Sequence, residues 1–334
     1  GGLRVALKLG RMIKRSGLKN RYHIFLVDRN DHHTYTPLLY EVATTSKDTA
    51  NICKLHEIAT YKIDPIIKGL PVTFIKAGVE KLDVVDAHIH LKDGRKLAYD
   101  YLVIALGSET NYFDIPGLKE HTLPLKTFQD AVRIRETIWD LALSEMSDIK
   151  VLIGGGGPTG IELASELKVW CGELEKTFKR CRLEITIIQG NKTILAGFAP
   201  KLIAKVSRRL TRLGIQVITE ERIVKAEKNK AVFTSGREIS CNLLVWAGGV
   251  RAAETVSQLP LQCEEKGRIK VAGPMECLPA TPNLKLHSKV YALGDAVCFY
   301  DPVTKKSVPG VARAAISQGT VVARNIFEDI KKDE

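Results

Sequence analysis

The sequence contains no Cys-x-x-Cys pair among its seven cysteines, Cys53, Cys171, Cys181, Cys241, Cys263, Cys277 and Cys298. That spacing argues against a local redox-active dithiol and against a zinc site. Odd in number and scattered, the cysteines read as reduced, intracellular thiols. No run of about 18 apolar residues occurs, so no stretch is predicted to cross a bilayer as a helix. The opening residues do not read as a signal peptide, and there is no low-complexity tract. What remains is an ordinary globular composition, 45% hydrophobic and 26% charged. At 334 residues the chain is long for one domain, and two are expected. Positive charge is in excess, +12 at neutral pH. Nucleic acid, an anionic membrane surface or anionic cofactors would all suit it, and the balance alone does not choose.

The most informative stretch is Val151 to Leu167, VLIGGGGPTGIELASEL. An apolar strand, Lys150 to Ile153, runs into Gly155, Gly157 and Gly160 in the order G-x-G-x-x-G, and a helical stretch from Ile161 to Trp170 follows. The first glycine permits the tight turn, and the second lets backbone N–H groups approach a pyrophosphate. The third lets the helix pack close to the strand, so that its N-terminus faces the phosphates. Three glycines alone often mean only a turn; a strand before and a helix after make this a dinucleotide-binding pattern.

Elsewhere the chain repeats that design. Gly1-Gly2 followed by LRVALKLGRMIKRSG reads as the end of a second glycine turn entering a helix, with Gly2 as its third glycine and Gly17 as the C-cap. The strand that should precede such a turn is absent, so the segment reads as truncated. Tyr22 to Asp28, YHIFLVD, is a strand ending in an acid. Asp28 there suits either a ribose hydroxyl pair or a simple strand-end turn. Thr34 to Thr45 is an aromatic and apolar patch that fits a cofactor-ring contact or plain core. Lys92 to Lys96, KDGRK, predicts a hairpin, and YLVIALG predicts a buried strand ending at Gly107. Pro116-Gly117 marks an expected hinge, and a helix is expected from Phe128 to about Ser147.

In the second unit LEITIIQ, Leu183 to Gln189, occupies the place of YHIFLVD, with Gln189 where Asp28 stood. A carboxylate there accepts from the 2′-hydroxyl of NAD and repels a 2′-phosphate, whereas a neutral amide with Lys192 nearby removes the repulsion and admits NADPH. Lys201, Lys205, Arg208, Arg209 and Arg212 lie opposite Leu202, Ile203, Val206, Leu210 and Leu213, an amphipathic helix whose basic face is read as solvated. LLVWAGGV, Leu243 to Val250, mirrors YLVIALG. VYALGDAV, Val290 to Val297, ends a strand in Gly-Asp, and a helix from Val311 to about Asp329 closes the chain.

With both units placed, the sequence resembles the two-dinucleotide-domain flavoproteins of the glutathione-reductase type. More narrowly, it resembles the type II NAD(P)H:quinone oxidoreductases. TPLLYEVAT (Thr36 to Thr44), DYLVIALGSETNYFDIPG (Asp100 to Gly117), PLKTFQDAVRIRETI (Pro124 to Ile138), LVWAGGVRA, GRIKV and VYALGDAV carry the likeness across nearly the whole chain. The resemblance implies an α/β fold of two Rossmann-like three-layer dinucleotide-binding domains, the NAD(P)H domain inserted in the FAD domain. The expected boundaries are 1–115 and 266–334 for FAD and 116–265 for NAD(P)H. It implies FAD contacts at Gly1, Gly2, Asp28, Pro37, Leu38, Thr44, Val79, Ala105, Gly107, Gly294, Asp295 and Ala312, with Asp295 on the ribityl chain. For NAD(P)H it implies Gly155, Gly157, Pro158, Thr159, Gly160, Gln189 and Gly248, with Glu162 near the nicotinamide as the catalytic candidate. An ordinary first-turn helix acid reads as well for Glu162.

The implied chemistry is hydride transfer from nicotinamide C4 to flavin N5, then two electrons to a membrane quinone without proton pumping. The flavin supplies the organic chemistry, and no metal or side-chain nucleophile is needed. A cytoplasmic protein peripheral to the inner membrane follows, attached through a C-terminal segment that would lie beyond Glu334; a homodimer stays open. In the family's quinone-site helix the run Ala-Gln-x-Ala-x-Gln carries two glutamines; the matching residues are Ala312 to Ser317, with Arg313 and Ser317 replacing both. Arg313, Ile316, Ser317 and Gln318 are therefore the quinone-site candidates. The competing readings are a soluble NAD(P)H oxidase or electron-transfer-protein reductase of the same fold, and a basic, redox-sensing nucleic-acid binder. The last is disfavoured because the basic residues are spread over many helices and lack aromatic interleaving.

Overall fold

The computed structural model describes residues 1–47, 50–144, 148–178, 182–264, 267–286, 289–301, 303–304, 308 and 310–332. Cys181, Ser147 and Glu334, named above, lie outside them. The chain forms two compact units: Gly1–His33, Lys62–Glu109 and Arg251–Glu334 make the first, Thr34–Tyr61 and Thr110–Val250 the second. These compact units divide at 109/110 and 250/251, beside the 115/116 and 265/266 expected for the cofactor domains, and Thr34–Tyr61 belongs to the second unit. Leu39, Val42, Ala43, Leu55 and Ala59 account for that last assignment. They are buried in one core with Ile134, Ile138, Leu163 and Leu167.

The second unit is built on a five-stranded parallel sheet in the order Leu123–Pro124, Leu243–Trp246, Asp148–Gly154, Arg182–Gln189, Gln216–Thr219. The order reverses at Asp148–Gly154, which leaves a crevice at the carboxyl ends of the central strands. Alternation along the strands sends side chains to opposite faces. Ile149, Val151 and Ile153 meet the helices Phe128–Leu143 and Pro158–Thr177. Leu152, Leu244, Ile188 and Trp246 face the other way, onto Ile223, Ala226, Ala231 and Phe233 of the antiparallel strands Ile223–Glu227 and Lys230–Phe233. All four residues of Leu243–Trp246 are buried, as a strand covered on both faces requires.

Local chemistry sets the helix ends. Thr127 and Asp130 form a reciprocal capping box, with bonds of 3.1 and 2.8 Å, at the start of Phe128–Leu143. That helix stops short of the expected Ser147, at Leu143, where the Ser144 hydroxyl donates to the Leu141 carbonyl at 2.7 Å. Pro158 opens the next helix at a position that needs no N–H donor. The basic helix spans Pro200–Arg212 with its five cations exposed, Leu210 buried, and Leu202 on the open side rather than in the core. Pro116-Gly117 is a packed turn rather than a hinge. Ala226 N–H donates to the Pro116 carbonyl at 3.0 Å, and a Cβ on Gly117 would sit 2.1 Å from the Ala226 oxygen.

The first unit joins two parallel pairs, Ile24–Asp28 with Val72–Lys76 and Tyr101–Ile104 with Lys289–Ala292, to a three-stranded antiparallel sheet. The Lys92 to Lys96 turn closes the hairpin between His88–Leu91 and Lys96–Ala98, with Gly94 at φ +85°. Helices Gly2–Arg15 and Ala312–Lys332 pack together over this framework, Val5, Leu9 and Ile13 sharing a core with Val322, Ile326, Phe327 and Ile330. They approach closely because one contact is glycine: a Cβ on Gly319 would meet the Gly1 carbonyl at 3.0 Å.

Candidate functional site

In the second unit the three glycines do three different things. Gly155 has φ +117°, and a Cβ there would lie 2.4 Å from the Ala247 oxygen, so both its backbone and its surroundings demand glycine. At Gly160 a Cβ would lie 2.0 Å from the Gly155 oxygen, where the helix closes onto the turn. Gly157 has an ordinary extended backbone and nothing within 4 Å of a built Cβ. The space above it is open to an incoming group, and the helix Pro158–Thr177 starts directly behind it. Such a turn can hold an anionic phosphate bridge through backbone N–H groups and the helix dipole.

Gln189 is turned into this loop. Its Oε1 accepts from Gly156 N–H at 3.0 Å, and its Nε2 donates to the Thr193 carbonyl at 3.3 Å. The loop is braced again by Leu195 N–H donating to the Gly156 carbonyl and by Gly155 N–H donating to the Ile188 carbonyl. Pro158 and Thr159 are exposed in the first turn of the helix.

Sequence reasoning missed Trp246. Its ring lies against both glycine-bearing ends: a Cβ on Gly154 would meet it at 2.5 Å, and one on Gly248 at 2.4 Å. Its Nε1 donates to the Asn111 carbonyl at 2.8 Å, and Asn111 N–H returns a bond to the Gly249 carbonyl at 3.1 Å. Phe113 packs edge-on, 6.4 Å between ring centres. The signal for Trp246 was its place immediately before Ala-Gly-Gly. Its partners, however, come from residues 111–113.

Glu162 lies in the first turn of Pro158–Thr177. The residue is open to solvent, yet crowding around its carboxyl raises its pKa above the usual glutamate value. The helix Leu39–Thr44 packs alongside, and the Tyr40 phenol is raised first by burial, then by the charges of Glu41, Glu162 and Glu166. The structure therefore puts Tyr40 beside Glu162. Pro37 and Leu38 form the turn before Leu39–Thr44, and the Thr44 hydroxyl donates to the Tyr40 carbonyl at 2.9 Å. All three belong to the second unit. The segment that follows is held by Arg135, 3% exposed, which donates to the carbonyls of Thr45, Ser46 and Ala50 at 2.6, 3.2 and 2.7 Å.

In the first unit the structure gathers Gly1, Gly2, Ala105, Gly294, Asp295 and Gln318. A Cβ on Gly2 would meet Ala105 Cβ at 3.0 Å, and one on Gly1 would meet Leu293 Cδ1 at 2.1 Å. Gly294, at φ +75°, donates its N–H to Gln318 Oε1 at 2.8 Å. Asp295 accepts from the Ser108 hydroxyl at 2.9 Å, and Gly310 leaves room beside it, since a Cβ there would come within 3.1 Å of Asp295 Oδ1. Gly107, φ +70°, has open space around it. Asp28 ends its strand with Oδ1 accepting from Asn30 N–H at 2.8 Å, a turn-forming bond. Val79 pairs with Leu91 in the antiparallel sheet, and Ala312 opens the last helix. Among the quinone-site candidates Gln318 is turned onto the Gly294 backbone, whereas Arg313, Ile316 and Ser317 are exposed. Ser108 was not foreseen, because only the fold brings it to Asp295. Burial pushes the Cys241 thiol up to about 11, so it stays protonated at neutral pH and acts as core.

Comparison with known proteins agrees with this geometry. The chain is 28% identical to a type II NADH:quinone oxidoreductase of Haemophilus influenzae, covering 98% of this chain and 78% of that one. It is also 28% identical to the demethylphylloquinone reductase NdbB of Synechocystis, over 99% and 77% of the two chains. Among solved structures, NDH2 of Plasmodium falciparum, determined in complex with NADH, superposes with a TM-score of 0.78 over 93% of this chain and 79% of that one. At 18% identity that likeness speaks to the fold, an α/β arrangement of two Rossmann-like units. The sequence profile described as pyridine nucleotide-disulphide oxidoreductase matches residues 1–319, and the chain belongs to that family.

Proposed function

We propose that the protein is an FAD-dependent oxidoreductase that takes hydride from NAD(P)H and passes two electrons to a membrane quinone without pumping protons. The observation that carries this reading is the glycine turn. Gly155 and Gly160 are filled against backbone, while the space over Gly157 is open in front of a helix N-terminus. The names of the relatives, a NADH:quinone oxidoreductase and a quinone reductase, support the acceptor.

In this reading Gly155, Gly157, Pro158, Thr159 and Gly160 hold the pyrophosphate of NAD(P)H through backbone N–H groups. Gln189 braces Gly156 in that loop, Gly248 lies against the Trp246 ring beside it, and Glu162 lines the nicotinamide end. Crowding keeps the Glu162 carboxyl easier to protonate than an ordinary glutamate. FAD, when bound, supplies hydride acceptance and two-electron delivery. For FAD, Gly1, Gly2, Ala105, Gly107, Val79, Gly294 and Ala312 provide close backbone approach, and Asp28 and Asp295 accept from polyol hydroxyls. Ser108 holds Asp295 in place. Pro37, Leu38 and Thr44, which the family resemblance also assigns to FAD, lie in the second unit.

Among the described residues no helix is long and apolar enough to cross a membrane. We place the protein at the inner-membrane surface as a peripheral enzyme, where its quinone resides, and assign the exposed Arg313, Ile316 and Ser317, with Gln318, to the quinone end. A second reading, delivery to oxygen or to an electron-carrier protein, is favoured by Arg313 and Ser317 standing where the family resemblance implies glutamines. Steady-state NAD(P)H oxidation with a short-chain quinone, compared with oxygen alone, separates the two. Strong stimulation by quinone supports the first, and none rejects it.

A further inference from the structure

Gly190, which follows Gln189, carries no side chain, and the space is taken by Arg222. A Cβ at Gly190 would lie 2.9 Å from Arg222 Cγ and 3.1 Å from its Nε. Arg222 follows the strand Gln216–Thr219, whose parallel register sets Thr219 opposite Gln189. Backbone bonds fix the segment there: Glu221 N–H donates to the Gln189 carbonyl at 3.3 Å and Glu220 N–H to the Asn191 carbonyl at 3.2 Å. Arg222 is itself anchored, since its carbonyl accepts from Thr234 N–H at 3.0 Å and its N–H donates to Thr234 Oγ1 at 3.4 Å. The guanidinium arm therefore crosses the carboxyl end of Arg182–Gln189, the place where a doubly wound sheet receives the adenosine ribose.

Arg222 is exposed and, among the described residues, makes no ion pair. Its neighbour Glu221 is occupied elsewhere. That carboxylate accepts from the Thr234 hydroxyl at 3.0 Å, and hydrogen bonds from Ser235 and Thr234, then the charge of Arg237, hold its pKa below the usual range. Gln189 brings no charge, and its oxygen is committed to Gly156 N–H.

We infer that Arg222 is the specificity-determining cation for a phosphate on the 2′-oxygen of the adenosine ribose, so that the preferred donor is NADPH. The inference rests on the assignment of the glycine turn to a dinucleotide. A guanidinium presents two parallel N–H donors to a phosphate, a geometry an ammonium cannot reproduce. Gly190 is the gap that lets the arm lie in reach.

Calorimetric titration of the full chain with adenosine 2′,5′-bisphosphate and with 5′-AMP tests this without reference to turnover. The wild type is expected to bind the bisphosphate at least about ten-fold tighter at low salt, as one charge-assisted bidentate contact implies. Arg222→Ala should abolish that preference while changing 5′-AMP affinity by less than about two-fold, and Arg222→Lys should restore only part of it. Equal affinity of the wild type for the two nucleotides overturns the inference, as does an Arg222→Ala variant that weakens both alike. Binding of neither nucleotide by the wild type removes the dinucleotide site itself, and the role of Arg222 with it.

Discussion

The side-chain oxygen of Gln189 accepts a hydrogen bond from the backbone N–H of Gly156 at 3.0 Å, tying the end of one strand to the glycine turn of its neighbour. A glutamate at 189 can keep that bond but adds a negative charge beside the ribose. Gln189→Glu should therefore shift the NADPH/NADH ratio of kcat/KM toward NADH by about ten-fold, equivalent to roughly 1.4 kcal/mol. An unchanged ratio contradicts it. Gln189→Leu instead leaves the Gly156 N–H without its acceptor, a loss of about 1–3 kcal/mol that should weaken both donors alike.

The turn itself yields a contrasting pair. In Gly160→Ala the new Cβ would lie 2.0 Å from the Gly155 oxygen. The helix must move off the strand, an overpacking loss of about 1–3 kcal/mol that thermal unfolding should detect. In Gly157→Ala the methyl meets nothing in the protein. Its melting temperature should stay near wild type while nucleotide affinity falls by about ten-fold, because the methyl takes up the close approach a pyrophosphate needs. Loss of stability in Gly157→Ala, or undiminished affinity, would refute this division of roles.

Much of this was legible in the sequence, and the exceptions share one cause. Gly155, Gly157 and Gly160 announce themselves because turn, approach and packing are local demands met within six residues of chain. Gln189 was legible as the end of the second strand, but its bond to Gly156 was not. Ser108 and Asp295 meet across 187 residues, and Trp246 finds Asn111 across 135, so no local pattern could pair them. The place of Thr34–Tyr61 in the second compact unit is non-local in the same way. Leu39 and Val42 are three residues apart on one helix and Leu55 lies on the next, and being apolar does not say which core receives them.

Arg135 tests that non-local layer directly. Its buried guanidinium satisfies the carbonyls of Thr45, Ser46 and Ala50, and Glu136 pairs with it at 2.8 Å. Arg135→Met should destabilise the protein by about 3 kcal/mol, the usual scale for breaking a buried charged network. Arg135→Lys should recover little, because an ammonium cannot span three acceptors. Denaturant unfolding that finds Arg135→Met within error of wild type would show the network to be unimportant.

Glu162 gives a pH signature. Its pKa is raised in the fold by partial desolvation of the carboxyl, although the residue stays open to solvent, so the native state holds this proton more tightly than the unfolded chain. Below the ordinary glutamate pKa the group does not penalise folding; as pH rises through that value to the raised one, ionisation becomes unfavourable to the native state. Glu162→Gln should therefore raise the melting temperature slightly at neutral pH and leave it unchanged at acid pH. A stabilisation of the same size at both pH values would argue against the desolvation effect.

The central claim is that this chain carries electrons from a pyridine nucleotide through a bound flavin to a quinone. The most direct measurement is the visible absorption spectrum of the purified full-length protein, followed anaerobically as NADPH and then a short-chain quinone are added. A yellow flavin spectrum that bleaches with the nucleotide and returns with the quinone is the predicted result. A colourless protein, or a flavin band that the nucleotide leaves unchanged, would contradict it.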